Sequence, residues 1–309
     1  AIRRLLDDME LRQLRAFVKI AETCNFSLAA KELYTTQSAL SQSLKKLEDE
    51  LGAALFHRDN HNVGLTEAGD ALLPYAKRTI EDADNCVYKM NDLMNMKCGT
   101  LNIGVTHSFR ILTSDTLNIF VKKFPNIKLN IFYKTMEELM VMLEKRELDF
   151  VLSFKPSSVH PNIESHILFD NNLSVIVNKN HPLAKKEKVT LQDIMPYGVA
   201  IPSKALQARN EFDKLFPYAY TELKIRMELN EVNVLLDIVR ESGLITILSE
   251  AVIHQTKGLV AIPFDVPENV MVGCVHTERS AYRKKATEEF IKMLQESDAV
   301  RERSTQWLK

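Results

Sequence analysis

Ser38, Ser41, Gln42 and Lys45 recur three and four residues apart in TTQSALSQSLKKLEDELG, residues 35–52, with Gln37 beside them. Side chains so spaced share one face of a helix. Their chemistry is that of base-pair reading. Glutamine can pair with adenine, serine can donate to or accept from either base, and lysine can reach a phosphate or guanine. Leu40, Leu44, Leu47 and Leu51 recur on the opposite face, so the segment reads as an amphipathic helix. Its carboxylates, Glu48, Asp49 and Glu50, come only in the last turns, away from where they would repel phosphate. An ordinary solvated surface helix is the other reading of the same pattern.

The neighbouring elements bear on that choice. Leu11, Leu14, Phe17, Val18 and Ala21 form a helical stripe that ends at Asn25-Phe26. Ser27 is expected to cap a short second helix holding Ala29, Ala30 and Leu33. Tyr34-Thr35 makes a tight break, and Thr36 caps the third helix. The Ala29-Ala30 pair lets two helices approach closely, as a helix-turn-helix requires. Leu55-Phe56 and Val63-Gly64-Leu65 are expected to form two short strands of a polar hairpin, a wing, with Arg58 at its base. Thr66 is expected to cap a long helix.

Residues 10–69, ELRQLRAFVKIAETCNFSLAAKELYTTQSALSQSLKKLEDELGAALFHRDNHNVGLTEAG, resemble the winged helix-turn-helix of the LysR-type transcriptional regulators. The resemblance implies that Thr36, Gln37, Ser38, Ser41, Gln42 and Lys45 line the DNA-recognition surface and that Arg58 belongs to the wing. The partner it implies is double-stranded DNA, an inverted repeat in a promoter, with RNA polymerase as a further partner. Ser38 stands where the family usually has proline. Gln42 stands where it often has arginine, which implies weaker phosphate binding.

From Thr66 to about Met96, Ala68, Leu72, Ala76, Ile80, Ala83, Val87, Met90 and Met94 alternate in steps of three and four. A helix of ~30 residues spans ~45 Å, longer than one domain needs. Its narrow stripe is like a coiled-coil seam, so a second copy is expected against it. Pro74 removes one backbone hydrogen bond and is expected to bend it. In the family this helix pairs across a homodimer, and homo-oligomers, dimer or tetramer, are implied.

After Cys98-Gly99 strands and helices alternate, which predicts a mainly parallel sheet with covering helices. Strands are expected at 101–105, 129–133, 149–154, 173–177, 197–201, 224–228, 244–248 and 270–275. Helices are expected at 112–124, 136–147, 232–241 and 286–294, with a return linker at 263–267. Two sheets joined by two crossovers imply two lobes hinged over a cleft. FPNIKLNIFYKTMEELMVMLEKRELDFVLS, residues 124–153, extends the resemblance to the family's effector domain, built like a type II periplasmic binding protein. ESGLITILSE departs from it, with Ile245 in place of a glycine and Ser249 in place of a proline. The expected fold is therefore multidomain. A winged helix-turn-helix occupies 1–65, a linker helix 66–97, and an α/β two-lobed effector domain 98–309. Lobe 1 takes about 98–169 and 268–300, and lobe 2 about 170–267.

Ligands of such folds sit outside the carboxyl ends of strands, where helix N-termini offer unpaired N–H groups to anions. Thr106, His107 and Ser108 follow the first strand. Lys134 and Thr135 precede the Met136 helix. Pro202, Ser203 and Lys204 follow Ile201, and Asn230 precedes the Val232 helix. Each hydroxyl also has the reading of a simple helix cap, and His107 that of an exposed loop histidine. Lysines and hydroxyls together suggest a small anion such as a carboxylate as effector; no cofactor or metal is expected.

The whole chain, 309 residues with net charge −1, gives no basic excess. Nine basic residues face nine acidic ones in the first 65, which counts against a nucleic-acid module. The four cysteines show no CxxC spacing and read as reduced thiols of a cytosolic protein, without a disulfide framework or zinc site. No apolar run reaches a membrane span and no secretory signal opens the chain, so no membrane partner is expected. A solute-binding protein would suit the last two-thirds alone. An enzyme is not expected, since GxSxG, Walker, HExxH and Cys/His nucleophile patterns are missing. A thiol redox switch is disfavoured because no cysteine lies between Cys98 and Cys274.

Overall fold

The computed structural model describes residues 9–57, 63–93, 98–156, 160–253, 256–298 and 300–301. The chain divides into two compact units, residues 1–94 and 95–309.

In the first unit, helix α1 (Leu11–Thr23) buries Leu14, Phe17, Val18 and Ile20, while Leu11 stays 42% exposed at its open end. Helix α2 (Phe26–Glu32) is capped by Asn25, whose side chain accepts from the Leu28 N–H at 2.9 Å. Ser27, the expected cap, lies two residues too late, inside the helix; its hydroxyl donates instead to the Gln37 side chain at 3.0 Å. Ala29 and Ala30 are buried where α2 meets its neighbours, with no side-chain bulk to hold the helices apart. Helix α3 (Gln37–Leu51) starts at Thr36, whose hydroxyl accepts from the Ala39 N–H at 3.2 Å. It ends at Gly52 in the left-handed conformation, φ +70°, that glycine adopts without strain. Leu40, Leu44 and Leu47 are buried, whereas Leu51 at the last turn is 41% exposed.

The expected hairpin is reduced to one bridge, Phe56 to Leu65, flanked by the His57 N–H donating to the Gly64 carbonyl at 2.9 Å. Residues 58–62, and so Arg58, lie outside the described residues. Phe56 closes the core edge-on against Phe17 and Phe26, at 5.6 and 6.3 Å between ring centroids. Helix α4 (Glu67–Leu93) is capped by Thr66, which accepts from the Gly69 N–H at 3.1 Å and donates to the Ala54 carbonyl at 2.7 Å. It runs through Pro74. Ala68, Leu72, Leu73, Ala76 and Ile80 pack on the head's core. Further along, Val87 and Met90 are 59% and 55% exposed. Met94 lies outside the described residues.

The second unit contains a five-stranded sheet ordered β2-β1-β3-β10-β4: β1 (Gly99–Val105), β2 (Ile127–Tyr133), β3 (Phe150–Phe154), β4 (Ile163–Asn171) and β10 (Met271–Glu278). β1 pairs parallel with β2 and β3, but β10 pairs antiparallel with both β3 and β4. The sheet is therefore mixed rather than mainly parallel, because the chain returns from lobe 2 running the other way. A 3₁₀ turn (His107–Phe109) leads into α5 (Arg110–Lys123), and α6 (Met136–Glu144) follows β2. In lobe 2, β5 (Leu173–Asn178) pairs antiparallel with β8 (Thr246–Ser249) and β9 (Leu259–Pro263). β6 (Gly198–Pro202) and β7 (Lys224–Leu229) pair parallel. Helices α7 (Leu191–Ile194), α8 (Gln207–Leu215), α9 (Ala219–Glu222) and α10 (Val232–Glu241) cover this lobe, and α11 (Lys285–Glu296) returns to lobe 1.

The lobes are joined at Asn172 and through 264–270. The buried Asn269 side chain stitches these crossovers together. It accepts from the Leu173 N–H and donates to the Leu173 carbonyl, both at 2.8 Å, and reaches the Phe264 carbonyl at 3.2 Å.

His276 lies fully buried in β10, between Ser153 (2.9 Å from Nε2) and Ser165 (2.8 Å from Nδ1). Burial pushes its pKa down to about 4, helped by the nearby His160 and His166. The folded state thus refuses a proton that the unfolded chain accepts near pH 6.5. The stabilisation is complete above that pH and is lost as pH falls toward 4, by up to about 3 kcal/mol. Urea melts of the second unit's fluorescence at pH 7 and pH 4.5 should show this loss, and His276→Asn should flatten it.

Candidate DNA-reading face and effector cleft

Thr36, Gln37, Ser38, Ser41, Gln42 and Lys45 are all exposed, opposite the buried leucines of α3. Gln37 is steadied by Ser27, and Ser38 by the Thr36 hydroxyl at 3.1 Å. The late carboxylates serve the head itself. Glu48 accepts from the Leu55 N–H at 2.7 Å, and Glu50 accepts from the buried Gln13 amide at 3.1 Å. Among the described residues several of these charges pair: Arg12 with Glu10, Lys46 with Glu10 and Glu50, Lys19 with Glu22 and Glu32, and Arg15 with Asp84 of α4. Lys45 has no carboxylate partner among the described residues. The equal tally of charges therefore hides a lysine left over on the polar face of α3. A furrow of about 530 Å³ beside that face is lined by Arg12, Arg15, Thr35, Gln42, Ser43 and Lys46. Tyr34 and Thr35, adjoining this face, were not singled out by spacing.

In the second unit the expected contacts form two groups. Val105 pairs with Tyr133, so Thr106, His107 and Ser108 stand beside Lys134 and Thr135 at neighbouring strand ends. Pro202 pairs with Leu229 and the Ser203 N–H donates to the Leu229 carbonyl at 2.7 Å, bringing Ser203 beside Asn230. The groups belong to different lobes. Across the junction the Gln207 amide, at the start of α8, donates to the Lys155 carbonyl at 3.2 Å. A furrow of about 200 Å³ there is lined by Phe154, Lys155, Gln207, Lys214 and Met271.

The side chains differ in how committed they are. Thr135 is locked in a capping box, accepting from the Glu138 N–H and donating to its carboxylate at 2.9 Å. The Lys134 ammonium, then Thr135, hold the Glu138 carboxyl down at about 2. Thr106 is buried and turns toward the Leu152 carbonyl at 3.4 Å. Asn230 makes no side-chain hydrogen bond among the described residues; its neighbour Glu231 caps α10, accepting from the Val234 N–H at 3.0 Å. The Ser203 hydroxyl is buried with no partner, as is the Gln207 amide oxygen. Two residues escaped the sequence reading: Tyr133, stacked 5.9 Å from His107, and Arg110. Burial raises the Tyr133 pKa, and the Arg110 charge opposes that rise. A strand-closing aromatic and a cation in the first turn of α5 were the available signals.

A helix-turn-helix head continued by a long helix, followed by a two-lobed α/β domain, defines a class of ligand-responsive DNA-binding proteins. The description "Bacterial regulatory helix-turn-helix protein, lysR family" matches residues 11–70, and "LysR substrate binding domain" matches residues 95–299. The chain belongs to the LysR family of transcriptional regulators. It is a sequence-specific DNA-binding regulator controlled by a small-molecule effector of its C-terminal domain. The RuBisCO operon transcriptional regulator of Allochromatium vinosum is 26% identical over 257 residues, covering 82% of this chain and 85% of the relative. The transcriptional activator CmpR of Synechocystis sp. is 27% identical over 221 residues, covering 71% and 72%. Among solved structures, full-length OxyR from Pseudomonas aeruginosa superposes with a TM-score of 0.71 at 19% identity, covering 95% of this chain and 97% of its own. CbnR complexed with its target DNA gives 0.63 at 20%, covering 93% and 99%. Among the described residues no helix is long and apolar enough to cross a membrane, and no cluster could hold a metal ion.

Proposed function

We propose that Thr36, Gln37, Ser38, Ser41, Gln42 and Lys45 enter the major groove, with Arg58 adding a contact from the wing. The observation that carries this is an exposed polar face whose Lys45 has no carboxylate partner among the described residues, set on a helix capped and packed on its other side. Two heads of a homo-oligomer, dimer or tetramer, read an inverted repeat in a promoter, where RNA polymerase is the further partner. The exposed Val87 and Met90 support pairing through α4. The working division is residues 1–65 for reading, 66–97 for linking and 98–309 for sensing. Such a protein works in the cytoplasm and not as an enzyme.

The effector is a small carboxylate or similar anion. His107, Ser108, Arg110 and Tyr133 form one wall, with Thr106 and Thr135 behind them. Pro202, Ser203 and Asn230 form the other. A buried hydroxyl without a partner costs about 1–3 kcal/mol, and a ligand oxygen at Ser203 would recover it. Cys274 supports no thiol switch, since burial pushes its thiol up to about 11. A calorimetric screen of small carboxylates tests the cleft. A binding acid should lose about ten-fold in affinity with Arg110→Ala, with DNA binding in its absence unchanged. Equal affinity for parent and variant would remove Arg110 from the site.

A further inference from the structure

Tyr34 is 98% exposed and holds a backbone φ of +53° at the turn between α2 and α3. The turn closes α2 by two hydrogen bonds, Thr35 N–H to the Ala30 carbonyl at 2.9 Å and Tyr34 N–H to the Lys31 carbonyl at 3.2 Å. This is the pattern of a Schellman cap, in which the left-handed residue is ordinarily glycine. A tyrosine there carries backbone strain and leaves its ring in water. Among the described residues the side chain makes no hydrogen bond or ring contact that would offset either cost. Strain held without local return is found where a side chain serves a partner.

The location names the partner. Tyr34 stands two residues before the Thr36 cap of α3, on the chain that leads into the reading helix. When such a helix lies in the major groove with its N-terminal residues at the bases, the preceding turn lies over the groove's edge. We propose that Tyr34 is a further DNA contact, its hydroxyl donating to a backbone phosphate and its ring lying against the sugar. The proposal rests on α3 entering the groove. A phosphate contact of this kind positions the head and carries no sequence information.

The test uses the full chain with Tyr34→Gly and Tyr34→Phe, a duplex selected from a random pool, and a scrambled duplex. Tyr34→Gly should melt no lower than the parent, since glycine relieves the turn. Both variants should bind both duplexes at least about ten-fold more weakly, the loss of one hydrogen bond to a charged phosphate. The slope of log affinity against log salt should not change, because a neutral donor displaces no counterion; Lys45→Ala, the contrasting arm, should reduce it by about one. Parent-like affinity in Tyr34→Gly and Tyr34→Phe would overturn the proposal. Ser41→Ala/Gln42→Ala, run alongside, separates the two failures. If that variant loses the selected duplex, only the Tyr34 contact falls; if it too binds like the parent, the groove reading falls with it.

Discussion

Alanine at both Ser41 and Gln42 should abolish the promoter footprint while the oligomer stays intact. Both side chains are exposed on α3, whereas Leu40, Leu44 and Leu47, which hold that helix to the head, are buried. Alanine is a better helix former than serine or glutamine, so the melting temperature should hold or rise slightly. What disappears is hydrogen bonding to base edges, worth about 1–3 kcal/mol of discrimination for each good bidentate pair. Losing two such contacts, about 2–6 kcal/mol, should weaken the selected site by roughly 30- to 25,000-fold, toward the level of random DNA. Lys45 remains, so weak salt-sensitive binding to any duplex should persist. Titrations on selected and scrambled duplexes measure both quantities. A double variant that still prefers the selected site would show that another surface reads the sequence.

Gly69→Ala should be the most damaging small change in the first unit. A Cβ at residue 69 would lie 2.3 Å from the Leu55 carbonyl oxygen and 2.9 Å from Leu65 Cδ2. The carbonyl cannot easily yield, because it accepts the Thr66 N–H at 3.0 Å beside the Phe56–Leu65 bridge. Backbone must therefore move where the base of the wing meets the start of α4. Overpacking of this kind costs about 1–3 kcal/mol or more against a total stability of about 5–15 kcal/mol. In a unit of this size that lowers the melting temperature by roughly 10 °C. Scanning calorimetry should show the first unit's transition falling while the second unit's does not. DNA binding should weaken in parallel, since α4 and the wing share the disturbed junction. An unchanged first transition would mean that the close approach at Gly69 is not a constraint.

Local chemistry made α3 legible before its coordinates were known. A threonine cap, leucines in steps of four and three, and a terminal glycine each act within one turn of helix, and Thr36, Leu40, Leu44, Leu47 and Gly52 behave as their types require. Helix 232–241 was legible for the same reason, its apolar face being strongly periodic. Errors arose where two neighbours could do the same work. Asn25 and Ser27 are both good caps, and only the path of the backbone decides for Asn25. Leu11 and Leu51 continue their stripes in sequence but lie at helix ends where the core has stopped.

The missed elements lack a periodic signal. IESHILFDN, which forms β4, mixes charge with apolar residues because its outer side faces solvent at the sheet's edge. β9 is only five residues long, and the polar QARNEFDKL of α8 buries just Ala208, Arg209 and Phe212. Strand direction depends on how the chain returns from lobe 2, which no local pattern encodes, so the mixed pairing of β10 could not be anticipated. In the cleft, residue type identified hydroxyls but not their commitments. Thr135 is occupied by its own helix, whereas the Ser203 hydroxyl is buried and has no hydrogen-bond partner among the described residues, a distinction that exists only in three dimensions.

The most direct measurement is a crystal structure of the full chain bound to a duplex selected from a random pool. Ser41 and Gln42 should lie within hydrogen-bonding distance of base edges in the major groove, with Lys45 beside a phosphate or a guanine. A complex in which that side of α3 faces solvent, or rests against another part of the protein while the DNA is held elsewhere, would contradict this mode of reading.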